Sequence, residues 1–337
     1  MIFKNKTKNR IIIILFLVLF IVLFILFFSN KNNYENYDSI NIVSNLNNSA
    51  GFYSLFFFTL NHYIYCKKTK NNFKINSEKW LFKSKHGWTD YFEPVELIYD
   101  KNIKENKIVN HSEVLEDYKI KEYRDFIPEL YKYNKNTKQE INKIYNKFNL
   151  IKAQYDSLFI RRGDKLGAES VLILEDIYMN KLLEKNPNCK IIYLQTDDYN
   201  CYKNIEQYIK NKNLNIKVYT LCDENSVGVI VHNNQKNVLN ESAKNNESNK
   251  DYLSKNINKL NQTKAVEDMN SNEIYKHTLD MIIGVDIVAN SNICITDYQS
   301  NVSRFIKLFH KNPNNVYDVN STHDIDYEKK VCPSFSF

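Results

Sequence analysis

The stretch Ser157–Glu169 reads SLFIRRGDKLGAE, in which a short apolar run is followed at once by cations, a carboxylate and two glycines. The apolar run predicts a short buried strand. Similar runs follow at Cys189–Gln195, Asn215–Leu221 and Ile293–Thr296. Helical patterns of about a dozen residues follow the runs at Ser157–Ile160 and Cys189–Gln195. Strands that alternate with helices indicate βαβ units and a parallel sheet. The sequence therefore predicts an α/β fold around this stretch.

The chain before this sheet is more aromatic. Residues 51–66 read GFYSLFFFTLNHYIYC, which predicts a buried helix after a glycine turn, and NNFKINSEKW then predicts a strand. Residues 101–149 alternate charged and apolar residues at helical spacing, which favours surface-packed helices. We expect two halves, 49–150 and 151–337. An Asn-rich, low-complexity insertion over 223–271 interrupts the second.

Residues 11–28 form an unbroken apolar run, IIIILFLVLFIVLFILFF. At about 1.5 Å per residue this length nearly spans a bilayer core of about 30 Å, and its end lacks the small residues of a signal-peptide cleavage site. Several cations precede the run and few follow it, so the N-terminus is expected in the cytoplasm and the rest in a lumen. We expect a cytoplasmic tail over 1–10, a transmembrane anchor over 11–28 and a polar stem over 29–48.

Composition narrows the chemistry only slightly. The 337 residues carry a net charge of +7, much of it from Lys spread through Asn-rich stretches. This balance suits a phosphate-bearing ligand and a generally Lys-rich composition equally well, and it gives no reason to expect a nucleic-acid partner. The six cysteines form no CxxC pair, which argues against a zinc site, and an oxidising lumen would permit disulfides.

Three polar clusters follow predicted strands, where ligands bind in open α/β sheets. The first contains Arg161, Arg162, Asp164 and Lys165, and Glu169 comes a few residues later. Guanidinium groups match phosphate oxygens two at a time and could neutralise a diphosphate leaving group. A carboxylate so close could act as a general base. The alternative interpretation is a solvated turn after a strand.

The second cluster is Gln195-Thr196-Asp197-Asp198. Its two carboxylates could bind a divalent metal ion that holds a diphosphate. They could equally accept hydrogen bonds from arginine or cap the helix that follows. From the residues alone, capping and arginine pairing are favoured over metal binding.

The third cluster, Thr296–Arg304, reads TDYQSNVSR. Ser300 and Asn301 lie at a predicted strand-to-helix junction, where backbone amides can bind phosphate, although an ordinary helix cap explains them as well. Asp280 is a single carboxylate in the apolar helical run HTLDMII, where such a residue is more often a partnered or exposed helix acid than a ligand.

Together these clusters resemble the α-1,6-fucosyltransferase family, which includes core N-glycan and bacterial chitin-oligosaccharide fucosyltransferases. The similarity runs in patches from Gly51 to about Phe309. GWTDYFEPV (87–95) resembles the family's GW…F.PV segment, with Trp80 upstream as the partner tryptophan. FIRRGDKLGAE resembles its RR-x-DK-x-G-x-E signature, LQTDD its L.TDD strand end and YQSNVSR its FSSQVCR turn.

This resemblance implies a GT-B-like fold of two Rossmann-type halves, acceptor-side at 49–150 and donor-binding at 151–337. It also implies an inverting transfer of fucose from GDP-fucose to a glycan or glycoprotein, without a metal ion or a further cofactor, in the Golgi or endoplasmic reticulum. The residues implied for catalysis are Glu169 as the base, Lys165 and Arg162. Those implied for donor binding are Arg161, Arg162, Asp164, Asp197, Asp198, Asp280, Ser300 and Asn301, with Asp280 on the guanine base and Ser300 on the phosphate.

The sequence departs from the family pattern at several points. Phe159 occupies the place of a histidine that contributes to nucleotide binding in the family, and Asn301 replaces a glutamine. The spacing from Asp280 to Thr296 is about three residues longer. These departures leave open a same-fold transferase with another donor, or a protein O-fucosyltransferase. A non-catalytic scaffold would be expected to lose Arg161, Arg162 or Glu169, which are all present.

Overall fold

The structure of the chain is a computed structural model. It describes residues 40–48, 50–110, 113–162, 173–226, 266 and 268–320. The tail predicted over 1–10 and the anchor predicted over 11–28 lie outside these ranges. Within the described part of the chain, no helix combines the length and the apolar character needed to cross a membrane. The described residues from Asn41 to Asn320 belong to one structural unit.

The first half of the fold contains, among the described residues, strands β1 (Asn41–Asn45), β2 (Asn72–Asn76), β3 (Glu96–Leu97) and β4 (Asn106–Val109), and helices α1 (Phe52–Thr69), α2 (Ile120–Leu130) and α3 (Lys135–Phe148). The strand order is β3-β2-β1-β4. β1 runs parallel to both β2 and β4, with Ile42 opposite Phe73, whereas the short edge strand β3 is antiparallel to β2. This half therefore has a mainly parallel sheet.

Helix α1 is the buried helix predicted after Gly51. Its apolar residues are buried around the whole circumference, as the consecutive Phe56, Phe57 and Phe58 show, which is typical of a core helix. The polar side chain His62 is also buried, and both of its ring nitrogens are satisfied. Nδ1 lies 2.9 Å from Ser44 Oγ, and Nε2 lies 2.8 Å from the carbonyl oxygen of Glu113.

Two expectations for this half are corrected. The segment predicted as a polar stem over 29–48 contains β1, whose central residues Ile42, Val43 and Ser44 are buried. A strand covered on both faces has no alternation to detect, and the flanking asparagines made the segment look polar. The helical interpretation of 101–149 missed β4, because most of this edge strand is exposed and mixes charged with apolar residues.

The second half contains, among the described residues, strands β5 (Asp156–Ile160), β6 (Ile191–Thr196), β7 (Lys217–Thr220), β8 (Cys294–Thr296) and β9 (Val316–Asp318), and helices α4 (Glu175–Lys185), α5 (Tyr199–Asn211), α6 (Ser271–Ala289) and α7 (Asn301–Phe309). The strand order is β7-β6-β5-β8-β9, and every neighbouring pair is parallel. The predicted parallel sheet is confirmed. Because β5 lies at its centre, the residues that follow β5 emerge in the middle of the sheet's carboxyl edge.

The two halves share an aromatic core. Phe305 of α7 packs against Tyr53 and Phe56 of α1, with ring centroids 4.7 and 5.2 Å apart, and against Tyr131, at 4.7 Å. Helix α6 packs against both α3 and the central strands of the second sheet. The carboxyl edge of that sheet is therefore supported by elements from both halves.

Candidate functional site

A cavity of about 310 Å³ lies at the carboxyl edge of the second sheet. Ligand sites of open parallel sheets lie at this edge, and the volume falls within the range of small-molecule pockets. The ends of β5 and β6, the residues after β7 and the first half of α6 provide most of the wall. The lining residues include Phe159, Arg161, Gln195, Asp197, Lys276, His277, Asp280 and Val302.

Arg161 is the cation at the centre of this edge. It directly follows β5, lines the cavity and keeps about a fifth of its side chain exposed. Its Nη1 lies 3.3 Å from Asp197 Oδ2. Asp197 Oδ1 accepts a hydrogen bond of 2.7 Å from the backbone N–H of Arg162. Asp197, directly after β6, therefore contacts the side chain of Arg161 and the backbone of Arg162. This is the pairing with arginine that the sequence favoured.

Arg162 points away from the cavity. Its guanidinium is buried, and Nη2 donates to Glu175 Oε1 and to the carbonyl oxygen of Ile173, both at 2.6 Å. Burial alone would raise the pKa of Glu175, but the adjacent guanidinium outweighs it and the pKa is lowered. Arg162 is not among the cavity-lining residues. Of the two arginines predicted to contact a diphosphate, Arg161 therefore lines the cavity and Arg162 does not, and the diphosphate contact itself stays a prediction.

Asp198 caps the next helix, as the capping interpretation predicted. Its Oδ1 accepts a 2.9 Å hydrogen bond from the backbone N–H of Asn200 at the start of α5. Burial raises the pKa of this carboxyl group. In the described ranges, no group of three or more histidine, cysteine or acidic side chains is arranged to hold a metal ion.

Helix α6 forms the wall opposite the strand ends. Asp280 lines the cavity and forms an i,i+4 ion pair with Lys276 at 2.9 Å, which raises the pKa of Lys276. One turn before Asp280, His277 also lines the cavity. Burial, then the charges of Arg161 and Lys276, lower the pKa of His277 to about 4. Sequence analysis had not selected His277; its position three residues before Asp280 on the same helical face was the available signal.

The serine and asparagine of the third cluster act within their own helix. Ser300 caps α7, with Oγ accepting from the backbone N–H of Ser303 at 3.1 Å. Asn301 Oδ1 accepts from Arg304 at 3.3 Å. Neither is among the residues that line the cavity, whereas Val302 is. The first turn of α7 thus borders the cavity, and the capping alternative for Ser300 is confirmed.

Several predicted residues lie outside the described ranges. They are Asp164, Lys165 and Glu169, together with residues 227–265 of the predicted insertion. Their roles stay predictions. The cysteines in the described part of the chain are free thiols, namely Cys66, Cys189, Cys201, Cys222 and Cys294.

The close approach of α6 to β6 depends on one glycine. A Cβ atom on Gly284 would lie 1.9 Å from Gln195 Oε1. Gln195 lines the cavity and accepts a 3.0 Å hydrogen bond from the hydroxyl of the buried Tyr193. The contact between Gly284 and Gln195 therefore sets the position of one wall residue.

Comparison with known proteins found structural similarity only. No family model matches the chain, and no curated protein matches it. The chain is similar to the fucosyltransferase NodZ from Bradyrhizobium and to NodZ α-1,6-fucosyltransferase soaked with GDP-fucose or co-crystallised with GDP. In each case the TM-score is 0.45 and the identity 11%, over 81% of this chain and 93% of the other. A similarity of this size leaves the chemistry of the site to be argued from its own residues.

Proposed function

We propose that the cavity binds the nucleoside diphosphate part of an activated sugar and that the chain is a glycosyltransferase. The observation that carries this proposal is the position of Arg161, which follows the central strand, lines the cavity and is held by Asp197. A guanidinium group there can bind diphosphate oxygens in pairs. It would also stabilise the negative charge that grows on the diphosphate as the sugar leaves.

Within this class we propose a GT-B-like architecture and an inverting, metal-independent transfer of fucose from GDP-fucose to a hydroxyl group of a glycan or glycoprotein. The order of the four motifs that resemble the α-1,6-fucosyltransferase family supports this choice of donor. The bond from the anomeric carbon to the diphosphate oxygen breaks while the acceptor oxygen bonds to that carbon. Glu169 accepts the proton of the acceptor hydroxyl, and Arg161 stabilises the departing GDP.

The other polar residues have supporting roles in this proposal. Asp197 orients Arg161, and the buried Arg162 anchors the chain directly before Asp164, Lys165 and Glu169. Asp280 faces the nucleotide from α6. The apolar run over 11–28 supports a type II membrane orientation with this domain in the lumen of the Golgi or endoplasmic reticulum.

One feature of the cavity favours a second candidate. Phe159 contributes a buried apolar face to its wall, where the family has a histidine. An apolar contact at this point suits a different nucleotide or sugar, so a same-fold transferase with another donor, or a protein O-fucosyltransferase, is the alternative.

The test is nucleotide release by the purified full-length chain. GDP-fucose, GDP-mannose and UDP-sugars would each be titrated with EDTA and again with a divalent ion. The proposal expects GDP release from GDP-fucose in EDTA, a loss of about 100-fold or more in Arg161→Ala, and no loss in the exposed control Lys121→Ala. Activity only with a UDP-sugar and a divalent ion would favour the second candidate. Binding of no sugar nucleotide, or an Arg161→Ala variant as active as wild type, would refute the proposal.

The general base is tested separately. Glu169→Gln is expected to bind donor as wild type does and to lose turnover, because the amide cannot accept the proton. Wild-type turnover in this variant would remove Glu169 from the mechanism.

A further inference from the structure

His277 lies on α6 and faces the cavity that Arg161 and Asp197 also line. Its Nε2 atom is buried, and no described residue donates a hydrogen bond to it or accepts one from it. Buried polar atoms in folded proteins almost always have a partner. A cavity-lining histidine with a buried ring nitrogen that has no partner in the described part of the chain therefore points to a ligand.

Two buried histidines, His62 and His310, show what a structural imidazole looks like in this fold. Both ring nitrogens of His62 have partners, Ser44 Oγ and the carbonyl oxygen of Glu113. In His310, Nδ1 accepts from the backbone N–H of Asn312 at 3.1 Å, and Nε2 lies 3.4 Å from Ser291 Oγ. His277 differs from both because it lines a cavity and its Nε2 has no hydrogen-bond partner in the described part of the chain.

The surroundings of His277 keep its ring neutral. Burial lowers the pKa of the ring to about 4, and the nearby cations Arg161 and Lys276 act in the same direction, while Asp197 opposes them. A neutral imidazole has one N–H donor and one acceptor nitrogen. It can therefore add a directional hydrogen bond to a site in which Arg161 already supplies the positive charge.

We propose that His277 is a donor-binding residue whose Nε2 hydrogen-bonds to an oxygen of the nucleoside diphosphate beside Arg161. This inference rests on the proposed function, because it assigns a further residue to the same site. It also explains why the fold tolerates an unpartnered nitrogen at this position: the bound ligand completes its hydrogen bonding.

The test compares His277→Leu with His277→Gln in the full-length chain. Glutamine can place an amide group near the position of Nε2, whereas leucine fills similar space without a polar atom. We expect His277→Leu to bind GDP about ten-fold more weakly and His277→Gln to stay within about three-fold of wild type. Without ligand, His277→Leu should unfold at the same temperature as wild type or a higher one, because it removes an unpartnered polar atom.

If His277→Leu binds GDP as tightly as wild type, the inference is overturned and the proposed function stays intact. An equal loss of affinity and of ligand-free thermal stability in both variants would show a structural role and would also overturn it. If the wild-type chain binds neither GDP nor UDP, the proposed function fails and the inference fails with it.

Discussion

Arg162 forms a buried ion pair with Glu175, in which Nη2 of the arginine lies 2.6 Å from Oε1 of the glutamate. Arg162 directly follows Arg161, the arginine that lines the cavity. Glu175 Oε2 also accepts a 3.0 Å hydrogen bond from Asn204 of α5. The pair thus links the end of β5 to the start of α4 and to the middle of α5. Adjacent arginines have different tasks here, one facing the cavity and the other fixing the position of the first.

Removing one partner of this pair is expected to destabilise the fold. Arg162→Met leaves Glu175 buried with its charge uncompensated, which typically costs about 3–5 kcal/mol in the free energy of unfolding. Arg162→Met combined with Glu175→Leu should recover much of that loss, because no buried charge remains. Denaturant unfolding of the full-length chain measures both. If Arg162→Met lowered the free energy of unfolding by less than about 1 kcal/mol, the ion pair would not anchor the end of β5.

Asp198 is expected to act as a helix cap and not as a metal ligand. Asp198→Ala should lose about 1 kcal/mol of stability. Asn134→Ala should lose a similar amount, because Asn134 caps α3 by accepting from the backbone N–H of Thr137 at 2.8 Å, away from the cavity. Donor turnover by the wild type should not change in EDTA. Turnover that EDTA abolishes, with a further requirement for Asp198, would restore the metal interpretation.

The second sheet was predictable from the sequence because its first two strands are short apolar runs, and each is followed by a stretch with helical periodicity. The pairing of Asp197 with the arginines was also predictable, since both follow neighbouring parallel strands. The direction of each side chain was not. In an extended chain Arg161 and Arg162 point to opposite faces, and which face held the cavity depended on α6, far away in the sequence.

Strand β1 escaped prediction for a related reason. Its register is set by pairing with β2 and β4, about thirty and sixty-five residues away, and five residues with asparagine at both ends carry little local signal. His277 was missed because an unpartnered nitrogen is a property of the folded surroundings.

Acidification is expected to destabilise the chain through His277. Its pKa is about 4 in the folded state, against about 6.5 when unfolded. Between these values the unfolded state binds the extra proton, so stability is full above pH 6.5 and falls as pH drops towards 4. His277→Gln removes this titration. Between pH 7 and pH 5, the free energy of unfolding of His277→Gln should therefore fall by about 2 kcal/mol less than that of wild type.

Other titrating groups do not disturb that comparison. Burial raises the pKa of Asp198 and of Asp286 and lowers that of His310. Each titrates in both proteins and cancels in the difference between them. If wild type and His277→Gln lost equal stability between pH 7 and pH 5, the result would contradict the lowered pKa of His277.

Gly284→Ala is expected to act through Gln195. The added methyl group would lie 1.9 Å from Gln195 Oε1, so the glutamine must rotate and the hydroxyl of Tyr193 loses its acceptor. An unsatisfied buried hydroxyl costs about 1–3 kcal/mol, and the displaced side chain enters the cavity. Gly284→Ala should therefore lower both stability and donor affinity. In a Gln195→Ala background the three nearest atoms that the new methyl group would meet are gone, and alanine is a better helix former than glycine by about 1 kcal/mol. There it should be neutral or stabilising, and an equal loss in both backgrounds would show that the obstacle is not Gln195.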